Sequence, residues 1–228
     1  MSVQYDVLVP GSSLAFEGGF FGISSIVLVT VGDTKALFDC GHGVTRRLLL
    51  TALKQRGLEP DDIDLLVFSH GHFDHVLNMD LFPGAPILMS RDERDYIESP
   101  FPDDPATPRY LPQLLDPRDV QLIDGEAEIL PGVTLFPTPG HAPGHVALEL
   151  AADEGPVVLA ADALKTVREA STGIPDMEID PLKRGAASIQ ECLRRGRTIV
   201  PGHFPTIHRA DDGKLSWTGI QEMPLLIR

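Results

Sequence analysis

The chain has 228 residues, of which 43% are hydrophobic, so it is long and apolar enough to bury a sizeable core. Its 19 basic and 33 acidic residues give a formal net charge of −14, which disfavours nucleic acid because phosphate binding needs clustered lysines and arginines. It has no apolar run of about 18 residues and no basic N-terminal region before an apolar core, so we expect no membrane span, no signal peptide and a cytoplasmic protein.

In the first half of the chain, short runs rich in β-branched residues predict strands, and the spacing of leucines predicts a helix that Gly57 ends. A glycine-rich loop at 11–22 separates the first two strands. The predicted elements are strands at 3–9, 23–31 and 35–39, a hairpin turn at 32–33, a helix at 44–56, strands at 64–68 and 86–90, and a helix at 91–97.

The second half opens with a segment at 98–118 that is rich in proline. We predict that it is an ordered excursion over the surface, or a lid, rather than a domain boundary, with a disordered loop as the alternative. Strands are predicted at 132–136, 145–150, 156–161 and 198–200, and a helix at 181–195. Because strands and helices are interspersed through both halves, the sequence predicts one domain over 1–228 with an α/β layered fold.

A dense cluster of metal-binding residue types lies at 70–75, where the sequence reads His-Gly-His-Phe-Asp-His. Imidazole nitrogens and carboxylate oxygens are the usual ligands of zinc and similar metals. The cluster follows the apolar strand at 64–68, and strand ends in α/β folds often present functional groups. His70 and His72 can project to one side of an extended segment, while Asp74 and His75 enter the next turn.

Three further strand ends carry the same residue types. Pro-Gly-His occurs twice, ending at His141 and at His203, and Asp162 follows the apolar run at 156–161. Glycine permits a tight turn before each histidine, and proline restricts the loop. Four strand ends therefore each offer metal ligands.

This ordered set of histidines and aspartates resembles the metallo-β-lactamase superfamily, and the resemblance covers nearly the whole chain. It implies an αββα sandwich with the metal site at one edge, between the two sheets. Phe38-Asp39-Cys40-Gly41 also resembles the strand-end Asp-x-Gly of that family, which implies that Asp39 orients a ligand from outside the coordination sphere. The resemblance implies a first metal ion on His70, His72 and His141, a second on Asp74, His75 and His203, and Asp162 as the bridge between them.

Two divalent ions, zinc before iron, manganese or cobalt, are expected to activate a bridging hydroxide that attacks a carbonyl carbon. Asp74 is the expected catalytic residue, since it can orient the water and relay a proton. The compact chain resembles the small lactonases most, which predicts a small-molecule lactone, ester or thioester as substrate. It departs from many of those lactonases at Lys165, where they carry a tyrosine that donates to the substrate carbonyl, so Lys165 is a candidate substrate-contacting residue.

Other activities of the same fold remain open at this point. Glyoxalase II enzymes bind glutathione thioesters through a basic C-terminal region, for which little chain remains after His203. Exported β-lactamases of this fold often lack the full ligand set. A phosphodiesterase or nuclease is a further alternative, against which the net charge of −14 argues, and a non-haem iron dioxygenase would use a single metal ion.

The remaining histidines and cysteines receive structural interpretations. We expect His145 to be structural, His208 to lie at the surface, and Cys40 and Cys192 to be packed thiols. His42 either caps the helix at 44–56 or approaches the pocket. The three phenylalanines of the glycine-rich loop, Phe16, Phe20 and Phe21, line either a pocket or a homodimer contact.

Overall fold

The structure is a computed structural model that describes residues 2–218. The strands are β1 (Val3–Val9), β2 (Ala15–Phe16), β3 (Gly19–Phe20), β4 (Ile26–Val31), β5 (Thr34–Phe38), β6 (Leu65–Val67), β7 (Ile87–Ser90), β8 (Val120–Ile123), β9 (Ala127–Leu130), β10 (Val133–Pro137), β11 (Val146–Ala152), β12 (Gly155–Ala161), β13 (Thr198–Pro201), β14 (Ile207–Arg209) and β15 (Leu215–Trp217). The helices are α1 (Arg46–Gln55), α2 (Phe73–Val76), α3 (Arg91–Glu98), α4 (Leu111–Leu115), α5 (Val167–Thr172) and α6 (Gly185–Arg195), with short 3-10 turns at Pro60–Asp62 and Met79–Leu81.

The strands form two mixed halves that meet at one point. The N-terminal half has the order β1-β4-β5-β6-β7-β8, in which the strands from β5 onward pair in parallel. In the C-terminal half, β11 pairs with both β10 and β12, and β13, β14 and β15 follow beyond β12. A parallel contact between Val3 and Ala152 joins the halves. This arrangement lets the two halves fold face to face.

The burial pattern along single strands shows four layers. In β5, Phe38 packs between the two halves, whereas its neighbour Leu37 packs under α1 with Leu49. In β12, Leu159 faces the other half, whereas Val158 packs against α6 with Ile189 and Cys192. Successive side chains point to opposite faces of a strand, so apolar runs such as these are buried on both sides. The layers run helix, sheet, sheet, helix, which confirms the predicted αββα sandwich.

The helix predicted at 181–195 begins later, at Gly185. The carboxylate of Asp180 accepts hydrogen bonds from the backbone nitrogens of Leu182 and Arg184, and Lys183 has a positive φ of 53°. This turn replaces the first residues of the predicted helix. The prediction also omitted β8, β9, β14 and β15, which lie at or next to a sheet edge. Most of their residues are half-buried or exposed, so they give weaker apolar patterns.

The proline-rich segment at 98–118 is ordered, but the prediction that it runs over the surface is wrong for its middle part. Asp104, Ala106, Thr107 and Leu111 are buried, and the segment contains α4. Two of its leucines, Leu111 and Leu115, join the core cluster that also contains Ile97 of α3. Within residues 2–218, no helix is long and apolar enough to cross a membrane.

Candidate metal centre

All seven predicted ligands come together at one edge of the sandwich, where strands of both halves end. The segment at 70–75 follows β6, and α2 within it carries Asp74 and His75. His141 lies in the loop between β10 and β11, Asp162 follows β12, and His203 follows β13. Each of the seven side chains is buried, with His203 the most accessible at 8%.

The ligand atoms form two groups with Asp162 between them. His70, His72 and His141 offer nitrogen atoms within 4.8 Å of one another, and Asp74, His75 and His203 form a second set at the same spacing. Asp162 Oδ2 lies 3.1 Å from His141 Nε2. Asp162 Oδ1 lies 3.3 Å from His75 Nε2 and 3.2 Å from His203 Nε2. One carboxylate thus faces both groups, as the bridging assignment requires.

Glycine permits this approach in the loops that end in Pro-Gly-His. A side chain at Gly202 would place its Cβ 2.0 Å from Asp162 Oδ1, so only glycine lets the chain after β13 pass beside the Asp162 carboxylate. Gly140 has a φ of 149°, and a Cβ there would meet the backbone of Gly185 at 2.2 Å. Both glycines bring a ligand-bearing loop close to a neighbouring chain segment.

Hydrogen bonds on the far side of three imidazoles fix which nitrogen faces the centre. His75 Nδ1 lies 2.7 Å from Asp39 Oδ2 and donates to it, because a carboxylate only accepts. Ser69 Oγ donates to the same oxygen at 2.8 Å, so it accepts from His70 Nδ1 at 2.9 Å. His203 Nδ1 donates to the carbonyl of Ile23 at 3.0 Å. In the neutral form of each of these three histidines, the Nε2 lone pair therefore points inward.

The ring nitrogens and carboxylate oxygens that point into the centre suit a bound cation better than a hydrogen-bonding group of the protein. Among the described residues, His70 Nε2, His75 Nε2 and Asp162 Oδ1 are fully buried without a hydrogen-bond partner. Lone pairs that face one another in a dry site cost free energy unless a positive charge lies between them. The donor set of nitrogens and carboxylate oxygens suits zinc and neighbouring first-row metals. The residues present therefore fit a two-metal centre.

Burial and neighbouring charges act differently on the histidines. Burial, and then the imidazoles of His75 and His72, lower the pKa of His70 well below its usual range, which keeps it in the neutral form that binds metals. Burial also opposes the charged form of His75, but the carboxylates of Asp39 and Asp162 outweigh it and raise the pKa of His75. The second group is therefore richer in negative charge than the first.

His145 lies beside the ligands but serves the fold, as predicted. Its Nε2 accepts the backbone N–H of Asp162 at 3.2 Å, and its Nδ1 lies 2.8 Å from Thr138 Oγ1. Burial lowers the pKa of His145 to about 3, so the ring is neutral and Nδ1 donates to Thr138. His145 thus anchors Asp162 to the loop that carries His141.

The other predicted structural residues are also placed. The ring of His42 lies 2.8 Å from the carbonyl of Gly22 and 3.0 Å from that of Phe21, so it ties the glycine-rich loop to the start of α1. Cys40 and Cys192 are fully buried in the helix-facing cores. His208 is half-buried on β14.

A pocket of about 300 Å³ opens onto the centre. Its lining combines apolar residues, among them Leu14, Ala15, Phe20 and Met177, with the charged residues Lys165 and Asp176 and with five of the seven predicted ligands, His72, Asp74, His141, Asp162 and His203. A groove of about 880 Å³ lies at the opposite ends of the strands, around Tyr5 and Asp153, but its described lining holds none of the seven ligands. The smaller pocket is therefore the one in which chemistry at the centre would take place.

Lys165 lies on the wall of this pocket, with Nζ 3.6 Å from Asp176 Oδ2. Burial opposes its charge, but the carboxylates of Asp162 and Asp176 outweigh burial and raise the pKa of Lys165. Glu169 accepts hydrogen bonds from the backbone nitrogens of Thr166 and Asp176, which fixes the two loops on either side of the lysine. Lys165 is thus a charged donor held beside the centre.

A family model described as the metallo-beta-lactamase superfamily matches residues 19–203, which include the whole ligand set. The chain belongs to the metallo-beta-lactamase superfamily. This confirms the resemblance found in the sequence.

Relatives within the superfamily include N-acyl homoserine lactonases. The chain is 34% identical over 159 residues to the enzyme of Bacillus thuringiensis, in a match covering 67% of this chain and 60% of that protein. It is 34% identical over 176 residues to metallo-beta-lactamase domain-containing protein 1 of Homo sapiens, covering 74% of this chain and 58% of that protein. The matched part thus spans about three fifths of the length of these relatives.

Solved structures of the superfamily share the fold. An N-acyl homoserine lactone hydrolase with N-hexanoyl-L-homoserine bound at its catalytic metal centre superposes with a TM-score of 0.69 at 22% identity, covering 90% of this chain and 94% of that one. A dizinc quorum-quenching lactonase superposes with a TM-score of 0.68 at 20% identity, covering 88% of this chain and 80% of that one.

Three polar residues around the centre were missed in the sequence. Ser69 connects Asp39 to His70, and its position directly before the ligand cluster was a usable signal. Glu93 accepts the backbone nitrogens of Gly71 at 2.8 Å and Gly144 at 3.1 Å, and so joins two ligand loops. Asp104 lies 3.4 Å from His72 within the proline-rich segment.

Proposed function

We propose that the chain is a metal-dependent hydrolase that opens small lactones of the N-acyl homoserine class. The observation that carries this proposal is the combination of seven converging candidate ligands with an adjoining pocket whose lining contains both apolar and charged residues. An amphiphilic substrate matches that lining, because its reactive ring belongs beside the ligands and its acyl chain beside the apolar residues. The lactonase relatives support the same class of substrate.

Two divalent ions, which we propose to be zinc, would be held by the two ligand groups with Asp162 shared between them. When bound, such ions supply a water that loses its proton near neutral pH and a Lewis acid for the carbonyl oxygen. The fully paired far sides of His70, His75 and His203 keep their rings in the orientation that this binding needs.

The pocket residues of the chain have separate roles in this proposal. Asp74 faces the pocket, and its carboxylate can accept the proton that the attacking water releases. Lys165 Nζ can donate to the carbonyl or carboxylate oxygen of the substrate, the part that tyrosine plays in many related lactonases. Phe20 and Met177, which line the pocket, would contact the acyl chain and so exclude water from the ligands.

A hydrolysis panel on zinc-loaded protein tests the proposal. The panel compares N-hexanoyl-L-homoserine lactone with S-lactoylglutathione, a chromogenic β-lactam and bis(p-nitrophenyl) phosphate, and metal content is measured in the same samples. We expect the lactone to give the highest kcat/KM, and chelation to abolish turnover. A higher kcat/KM for the phosphodiester, the thioester or the β-lactam would contradict the lactone assignment, and turnover without metal would contradict the metal-dependent mechanism.

The Asp74→Asn variant tests the role of the proposed catalytic residue, with Asp80→Asn as its matched control. The amide has the shape of the carboxylate but cannot accept the proton, so the rate should fall by roughly 100-fold or more. Asp80→Asn, which removes an exposed carboxylate six positions further along the chain, should leave the rate unchanged. Equal rates for wild type and Asp74→Asn would contradict the role of Asp74.

A further inference from the structure

Asp104 is a buried carboxylate in a segment that the sequence predicted to be surface. Its side chain is fully buried, although the neighbouring residues Asp103 and Pro105 are exposed. A carboxylate is expensive to bury unless donors surround it. Its position inside the proline-rich segment therefore needs an explanation beyond packing.

Four donors hold this carboxylate in one orientation. Tyr96 Oη donates to Oδ2 at 2.7 Å, and Thr107 Oγ1 donates to the same oxygen at 2.6 Å. The backbone nitrogens of Ala106 and Thr107 donate to Oδ1 at 2.9 and 3.2 Å. Because both oxygens are held by donors, the carboxylate cannot rotate freely. It is a rigid acceptor that faces the metal centre.

His72 is the side chain that this acceptor faces. Its Nε2 lies 3.4 Å from Asp104 Oδ1 and has no hydrogen-bond partner among the described residues. Its other nitrogen, Nδ1, lies 2.9 Å from His141 Nε2, inside the first ligand group. The ring thus has one nitrogen on the carboxylate side and the other on the metal side.

We propose that Asp104 is a positioning residue that keeps His72 in the Nε2-protonated form, so that Nδ1 binds the first metal ion. The proposal rests on the two-metal centre proposed above. Asp39 does the same for His75 with the nitrogens exchanged, since there Nδ1 meets the carboxylate and Nε2 faces inward. Each ligand group then has one histidine oriented by a buried aspartate.

The backbone supports this assignment. The carbonyl of Ala106 accepts the backbone N–H of Phe73 at 2.9 Å, directly after His72. Ala106 also lines the pocket. The residues at 104–107 are therefore fixed to the ligand segment by a backbone hydrogen bond as well as by the carboxylate, and the proline-rich segment forms part of the centre.

Stepwise removal of zinc by a chelator tests the proposal in Asp104→Ala and Asp104→Asn, with the exposed Asp103→Ala and Asp103→Asn as matched controls. In Asp104→Ala we expect one of the two zinc dissociation constants to rise roughly 10–100-fold and the other to stay constant. Asp104→Asn should show a smaller rise, because its amide oxygen can still accept from Nε2. The Asp103 variants should match wild type. No change in Asp104→Ala, or an equal rise at both sites, would overturn the proposal.

A second measurement needs no variant and no substrate. Long-range nitrogen–proton NMR correlations on the zinc-loaded wild type identify the protonated nitrogen of each histidine. We expect Nε2–H for His72 and Nδ1–H for His70 and His75, and zinc bound through Nε2 of His72 would overturn the proposal. Both readouts follow metal binding and neither requires hydrolysis. If the chain binds two zinc ions but does not open lactones, the proposed function is contradicted, while these two measurements still decide the role of Asp104.

Discussion

The two halves of the sandwich contribute to the metal centre in different ways. The N-terminal half provides four ligands from one short segment, 70–75, at the end of β6. The C-terminal half provides three, His141, Asp162 and His203, each from a different strand end. The first set is built by local chain geometry, whereas the second depends on how separate strands align.

This difference shows where the centre is vulnerable. In the C-terminal half, Leu148 pairs with Leu159 and Leu159 with Val200, and this register places the three ligands at one level. A slip of one residue would turn every side chain of a strand to the opposite face. Asp162, which we propose as the shared ligand, lies in the half that depends on register, so the sheet sets how the two ligand groups are connected.

The largest effect is expected from Asp162→Ala, which breaks the connection between the halves. The variant removes both oxygens that face the two groups, so zinc content should fall from two ions per chain to one or fewer. Lactone hydrolysis should fall by roughly 1000-fold, equal to about 4 kcal/mol of transition-state stabilisation. Metal analysis and initial rates on the same sample measure both quantities.

The matched control is Glu154→Gln, which removes an exposed carboxylate from the turn between β11 and β12. This variant should bind two zinc ions and hydrolyse lactone at the wild-type rate. Wild-type zinc content and activity in Asp162→Ala would show that Asp162 does not bridge and that the two groups work independently.

A smaller effect, on the free energy of unfolding, is expected from the ionisation of Glu93, whose carboxylate joins the loop of Gly71 in one half to the loop of Gly144 in the other. Burial raises the pKa of Glu93 to about 7, above 4.5 for an ordinary glutamate. At pH values between 4.5 and about 7, the Glu93 carboxyl is therefore protonated in the folded chain and ionised in the unfolded chain. The stability from this group is complete below pH 4.5 and is lost as the pH rises through about 7, by up to about 3 kcal/mol.

Urea unfolding of the metal-free chain at pH 5 and pH 8 measures this loss. Glu93→Gln should remove that part of the pH dependence, although it also replaces one acceptor of the Gly71 and Gly144 nitrogens and so lowers stability at both pH values. Glu98→Gln, an exposed position on the same helix, should keep the wild-type pH dependence. The same slope in wild type and Glu93→Gln would contradict the raised pKa.

The same contrast between the halves explains what the sequence could predict. The density of histidines at 70–75 identified the N-terminal ligands directly, and the αββα fold followed from the resemblance. The C-terminal ligands are single residues, and only the repeated Pro-Gly-His pattern and the strand-end position of Asp162 marked them. Their convergence required the pairing of β12 with β13, which no local pattern specifies.

Two of the missed residues, Glu93 and Asp104, act across long sequence distances. Ser90 and Glu93 have the spacing of a helix capping box, in which the glutamate would turn back to the helix start. Ser90 Oγ does accept the backbone N–H of Glu93, but the glutamate side chain reaches Gly71 and Gly144 instead. Asp104 has no local signal at all, because its partner His72 lies 32 positions earlier and the contact depends on how the proline-rich segment packs.

The smallest effect is expected from Lys165→Met, which tests whether the C-terminal half supplies a substrate contact as well as ligands. Methionine retains most of the apolar stem but removes the donor, so zinc content should not change while kcat/KM for the lactone falls. Because Nζ is shared with the half-exposed Asp176, we expect a loss of roughly tenfold, or about 1.4 kcal/mol.

Arg168→Met is the matched control, since Arg168 also pairs with Asp176, at 3.4 Å, but is not among the described residues that line the pocket. Lys165→Tyr should retain more activity than Lys165→Met, because the phenol can donate where the thioether cannot. An equal loss in Lys165→Met and Arg168→Met would assign the effect to the charge around Asp176, and the C-terminal half would then contribute to the centre through its ligands alone.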